Sequence, residues 1–430
     1  MTTNDLYGKT ANNPDFLREQ VAQAAAEAEA TGKAPSLAVL EKSDATVFDA
    51  IDIEASTGTY YATNRPPVII DTIQGLPEGT LGALTAAPGA GKSTAFAQLC
   101  ASAGAGVPWL GIFPIKKRCK VLYLSGEELQ ASLHQRINEA ITRLPATHMD
   151  EAAANIVARS IRGDVGILKE KGLIEKTPAW HGLLRLLDKV QPNILLLDHF
   201  GLFVHLENEN NNVKLKEACS LLDGLCVERN LTIIAASHVN KANARLSDTQ
   251  DDLRQALDAT AARGGTALTG AVRWQCNMAM LTQKLAGSII GPEGKQRRDG
   301  AFVGIKISKA NYGELSDIYY LERKPGSSYL ERANTEHMER RQASTDSDVE
   351  HLVKMVRKRR EQGLPPFAWS SGIMGIDEYS DTEEEAWGKK RYEKARNSAE
   401  AQGKLMCANK DKGYGKILVE APQNTLFERG

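Results

Sequence analysis

Between Thr80 and Ser93 the chain reads TLGALTAAPGAGKS, an apolar run of strand character (Leu81, Ala83, Leu84) entering a glycine-bearing turn. The segment TAFAQLCASA that follows has helical spacing. Strand, glycine loop and helix in that order let a chain cradle phosphate with its own backbone. Gly89 and Gly91 allow successive backbone N–H groups of the candidate loop Ala87, Pro88, Gly89, Ala90 and Gly91 to turn inward around an anion, Pro88 shaping the turn without a donor of its own. The new helix points its positive end at the same place. Lys92 then reaches the β- and γ-phosphates, the Ser93 hydroxyl meets Mg²⁺, and Thr94 completes the set of nucleotide contacts. Ala86 stands where such loops usually carry their first glycine. The expected ligands are ATP and Mg²⁺. The alternative is a glycine turn that only closes a β–α connection.

A length of 430 residues suits two or three domains, with 42% hydrophobic and 25% charged residues as in a soluble globular chain. The formal net charge of −1 gives no whole-chain attraction for nucleic acid. A nucleic-acid binder of this charge must concentrate its cations locally. The six cysteines contain no C-x-x-C pair and read as buried free thiols in a reducing compartment. No apolar run approaches the roughly 18 residues of a membrane span, and MTTNDLYGKT lacks a signal-peptide core. A cytoplasmic protein without membrane contact is expected.

Residues 1–65 read as an N-terminal arm, polar around an alanine-rich helix with no wide apolar face. Residues 66–330 alternate strand with helix. VLYLSGEE, NILLLD and LTIIAASH are near-continuous apolar strands, the mark of a parallel sheet covered on both faces. A polar helical stretch is expected between the helix carrying Leu133, Ile137 and Ile141 and the helix GLLRLLDKV. Further strands are expected at CNMAMLTQ, FVGIKIS and SDIYYLER. Residues 331–347 read as a polar linker. Residues 348–430 read as a small α+β module with winged-helix order. Ser347-Asp348-Val349-Glu350 would open its first helix, a short helix would lie near Ser371, a second long helix would run through YEKARNSAEAQ, and a hairpin would follow with a lysine-rich tip. Lys389, Lys390, Arg391, Lys394 and Arg396 on the long helix, with Lys410 and Lys412 at the wing, are candidate DNA contacts. Docking of a partner protein is the rival reading of this module.

Hydrolysis of a bound triphosphate needs a held metal, an oriented water and a cation over the developing charge. Asp198 ends the strand NILLLD, where a metal-orienting carboxylate belongs. In an open parallel sheet ligands gather at the carboxyl ends of strands. Glu127 emerges from VLYLSG at that end and can polarise the attacking water, with its neighbour Glu128 the rival. His238 ends a third strand, where it can sense the γ-phosphate. Arg263 and Arg273 flank GGTALTGAV, and either can serve as an arginine finger.

The segments LGALTAAPGAGKS, VLYLSGEE, NILLLDHF, TIIAASHVNK, RGGTALTGAVRWQ and ISKANYG resemble the RepA-type replicative helicases of broad-host-range plasmids. Those are hexameric relatives of DnaB with a RecA-like core, and the resemblance covers about Pro66 to Arg323. It implies Lys92 and Ser93 as the P-loop pair, Glu127 as catalytic acid, Asp198 as Walker B acid and His238 as γ-phosphate sensor. It implies Arg273 as a finger given in trans, Arg263 in second rank, and Lys309 near the subunit boundary. Polar loops after core strands would face a central channel, with Lys241 and Arg245, and more weakly Lys214, gripping single-stranded DNA. The implied protein is a homohexameric ATP-dependent DNA helicase, with a replication initiator or primase as further partner. A RecA-like recombination or repair ATPase and a nucleotide-switched DNA-binding regulator are the alternatives. The N-terminal arm and the C-terminal module depart from the family pattern.

Overall fold

The computed structural model describes residues 71–163, 165–208, 211–240, 244–262, 265–363, 389–409 and 416–421. The expected N-terminal arm lies outside them. Nine strands form the central sheet. They are β1 (Leu81–Ala86), β2 (Val121–Ser125), β3 (Ile156–Ser160), β4 (Ile194–Asp198), β5 (Thr232–His238), β6 (Trp274–Met280), β7 (Phe302–Ala310), β8 (Tyr319–Arg323) and β9 (Leu330–Arg332). The longer helices are α1 (Lys92–Ala105), α2 (Gln130–Thr142), α3 (Ala146–Ala154), α4 (Pro178–Val190), α5 (Asn212–Arg229), α6 (Glu336–Glu361) and α7 (Lys389–Ala401).

The strand order is β9-β8-β7-β6-β1-β5-β4-β2-β3. From β6 to β3 every neighbouring pair is parallel, while β7, β8 and β9 extend the β6 edge antiparallel. This is the expected α/β fold with a mostly parallel sheet. Alternate residues of the central strands feed opposite faces, as period-two geometry demands. Leu84, Tyr123, Leu196 and Ile234 join one apolar cluster with α1, and Leu81, Leu122, Leu195 and Ile233 join another with α4 and α5. Burial on both faces is why these strands read as continuous apolar runs.

Two expectations need correction. The stretch whose composition predicts a polar helix contains α3 but then turns into β3, the sheet edge, and the hairpin Leu168–Lys171 with Leu173–Lys176. β3 alternates half-buried with exposed residues, so it lacks the apolar run that marks its neighbours. The segment 331–347 is no linker: it holds the end of β9 and the first turns of α6. Ala333 and Met338 pack with Leu285, Ile289, Phe302 and Tyr320 on the core. Farther along the same helix, Val349, Leu352 and Val356 pack with Tyr392, Ala395, Leu405 and Leu418. One 26-residue helix therefore serves two clusters, and Ser347 lies inside it rather than at its start. The second helix of the C-terminal module is present as α7, and strands Leu405–Asn409 and Lys416–Glu420 pair antiparallel. The short helix expected near Ser371 lies outside the described residues.

Candidate nucleotide-binding site

β1 ends at Ala86, and the loop from Ala87 to Gly91 leads directly into α1. Gly89 (φ 76°) and Gly91 (φ 104°) both hold left-handed backbone that side chains disfavour. The first N–H groups of a helix lack intrahelical acceptors. α1 offers them no side-chain cap and no acid in its first turn, so their partial positive charge is left for an incoming anion.

Lys92 is buried behind this loop. Its Nζ donates to the carbonyls of Ala86 at 3.0 Å and Ala87 at 3.4 Å, and lies 3.3 Å from His238 Nδ1. Burial pushes the ammonium below its ordinary range, while Asp198 and Glu127 pull it upward. Strand register explains the company it keeps. His238 is paired with Ala86, and Asp198 with Ser125, so the ends of β5, β4 and β2 gather beside the loop that leaves β1.

Asp198 is 1% exposed and accepts a 2.8 Å hydrogen bond from the Tyr123 hydroxyl. Burial, then the Asp198 charge and hydrogen bond, raise the tyrosine well above its usual range. The two acids after β2 part company. The Glu127 side chain is 51% exposed, with Oε1 3.1 Å from His199 Nδ1. Glu128 is 13% exposed, bound to Arg136 Nε at 2.9 Å, and burial raises its carboxyl despite that arginine. Sequence reasoning passed over His199, which stacks edge-on against His238 with ring centroids 4.7 Å apart. Donor atoms of Glu127, His199 and His238 all lie within 4.8 Å of one another. No sequence pattern singles out His199; only its place directly after Asp198 hinted at it.

Arg273 and Lys309 stand elsewhere. The Arg273 N–H donates to Leu81, at the amino end of β1. Six-residue β1 therefore separates it from the glycine loop by roughly 17 Å at about 3.3 Å per residue. Lys309, on β7, is in register with Gln275 of β6, donates to the Thr269 carbonyl, and is pushed down by burial and then by Arg273. Gln275, in the distinctive VRWQ, is a buried clamp: it donates to Ala259 at 2.7 Å and to Asn277 at 2.9 Å, and accepts from Thr269.

Of the expected DNA contacts, Arg245 and Lys390 are exposed. Arg391 is engaged by Asp348 at 2.6 Å, Lys214 by Glu217 at 2.9 Å, and Lys394 by Thr345. Arg396 bonds Asn397 and lies 5.7 Å from the Tyr392 ring centroid. Lys241, Arg263, Lys410 and Lys412, and the side chain of Lys389, lie outside the described residues.

A family profile described as an AAA domain matches residues 54–244, a span holding β1, the glycine loop and the strand ends that carry Glu127, Asp198 and His238. Among solved structures, the chain is similar to a KaiC-like protein from the hyperthermophilic archaeon Pyrococcus horikoshii. That match has 16% identity and a TM-score of 0.39, and covers 63% of this chain and 99% of the other. A RadB recombinase is matched at 14% identity and a TM-score of 0.36, over 60% of this chain and 92% of the other. Loop, sheet and profile together support a core of the P-loop ATPase class. No helix among the described residues is long and apolar enough to cross a membrane.

Proposed function

We propose that the chain is an Mg²⁺-dependent ATPase that works as a homohexameric ring, translocating on single-stranded DNA and unwinding duplex ahead of it. The observation that supports this reading is a division of parts. Lys92, Asp198, Glu127 and His238 gather at one end of the sheet, while Arg273 and Lys309 pair up at the other. A nucleotide on the loop then has everything except a finger, and a neighbouring copy has a finger to give.

Ser93 and Asp198 would hold the metal. A hydroxyl and a buried carboxylate facing an ammonium are the oxygen donors that Mg²⁺ takes, so the donor set fits. When bound, the ion neutralises phosphate charge. Lys92 exchanges its carbonyl and histidine partners for phosphate oxygens, which frees His238 Nδ1 to follow the γ-phosphate. Glu127, open to water, orients the attacking molecule and accepts its proton. Glu128 is committed to Arg136. Arg273 from the adjacent copy steadies the charge developing on the transferred phosphoryl group.

Imaging by negative stain with a slowly hydrolysed ATP analogue, paired with unwinding of a forked duplex, tests this. Closed rings and ATP-dependent unwinding are expected. Open filaments of variable length would favour a strand-exchange ATPase. Negligible turnover with and without single-stranded DNA would leave only a nucleotide-switched regulator.

A further inference from the structure

The antiparallel extension of the sheet delivers one more cation to the glycine loop. Arg323, last residue of β8, donates from Nη1 and Nη2 to the Gly89 carbonyl at 3.3 and 3.2 Å. Its Nη2 also stands 2.7 Å from where a Cβ on Gly91 would sit, so it lies directly against the loop. Two neighbouring arginines have carboxylates: Arg136 holds Glu128 at 2.9 Å while donating to Thr94 Oγ1 at 2.8 Å, and Arg297 is paired with Glu322. Arg323 has no carboxylate partner among the described residues. Burial, then the charges of Arg136 and Arg298, push its guanidinium downward. A half-buried cation bonded to one neutral carbonyl and facing two like charges is held at a cost that an anion would remove.

We propose that Arg323 is a nucleotide-binding residue acting within its own subunit, its guanidinium leaving the Gly89 carbonyl for the phosphate chain of the ligand. This rests on the nucleotide reading of the loop. It assigns part of the phosphate neutralisation to the same chain, leaving the neighbour's arginine to act on the transferred group. A guanidinium also matches phosphate oxygens in pairs, which a carbonyl cannot exploit.

The test is calorimetric titration of the full chain with Mg²⁺-ADP and, separately, with Mg²⁺-pyrophosphate, for wild type, Arg323→Ala, Arg323→Lys and Lys92→Ala. Wild type binding both ligands, with loss in Lys92→Ala, establishes the loop as the site independently of Arg323. Arg323→Ala should then weaken both ligands roughly 10- to 100-fold, with part of the loss recovered in Arg323→Lys. The ligand-free melting temperature of Arg323→Ala should be unchanged or higher, because a desolvated like charge has gone. Weakened ADP with unchanged pyrophosphate would mean a contact to base or ribose and overturn the proposal. So would a lowered ligand-free melting temperature, the mark of a scaffold role, or unchanged affinity for both. Wild type binding neither ligand would sink the loop reading and this proposal together.

Discussion

Replacing Arg273 with alanine separates two explanations by a wide margin. Its backbone lies at the amino end of β1, roughly 17 Å from its own glycine loop, and an arginine side chain spans less than half of that, so even reaching toward the loop it stops on the order of 10 Å short. At that separation in water a unit charge contributes at most about 0.4 kcal/mol, roughly a factor of two in rate. An arginine placed on the transferred phosphoryl group by a neighbour contributes roughly 10³- to 10⁵-fold. Arg273→Ala should therefore keep nucleotide affinity near wild type while steady-state turnover falls by about three orders of magnitude or more. The complementing partner is Lys92→Ala, which loses phosphate binding but keeps Arg273. Co-assembled in equal amounts, the two inactive variants restore an intact pair at about a quarter of the interfaces, and activity returns. Turnover by Arg273→Ala within a factor of two of wild type would refute the reasoning, as would a mixture no better than either parent.

Three further outcomes follow from the packing. Lys92→Met removes an ammonium held down by burial, so the ligand-free protein should melt no lower than wild type while losing its stabilisation by Mg²⁺-ATP, as read by scanning calorimetry. Burial raises the thiols of Cys100, Cys226 and Cys276 above their ordinary 9.0, and that of Cys219 to about 12. With folded values above unfolded ones, stability is full below pH ~9 and falls above it by about 1.4 kcal/mol per pH unit per thiol. Urea unfolding at stepped pH should show a shallower loss for Cys276→Ala; an identical slope would contradict this. Gly91→Ala forces a side chain into left-handed backbone, at roughly 1–2 kcal/mol, and drives Arg323 off the loop. Both melting temperature and ADP affinity should fall.

What the sequence disclosed tracks how local each signal is. The glycine loop and the ends of β2, β4 and β5 are short patterns attached to apolar runs, and they announced Lys92, Asp198, Glu127 and His238. Strand register then needed only the parallel order to bring them together. Arg323 gave no such signal. It lies 234 residues from Gly89 along the chain and reaches it because β8 is the second strand beyond β6, a placement that no local pattern encodes. Between the adjacent acids the sequence favoured Glu127 with Glu128 as its rival, and what it did not show is the contact that separates them, Arg136 from α2 holding Glu128. In the segment 331–347 the charged residues mask sparse apolar contacts, Ala333 and Met338, which dock on the core two and seven residues into the segment.

The central claim is that one copy of the chain clasps the triphosphate and the next one completes its site. The most direct measurement is ATP turnover per chain along a dilution series, with assembly state followed in the same samples by mass photometry. Turnover should fall in step with the loss of assemblies and vanish in the monomer. A monomer that hydrolyses ATP at the undiluted rate per chain would contradict the account.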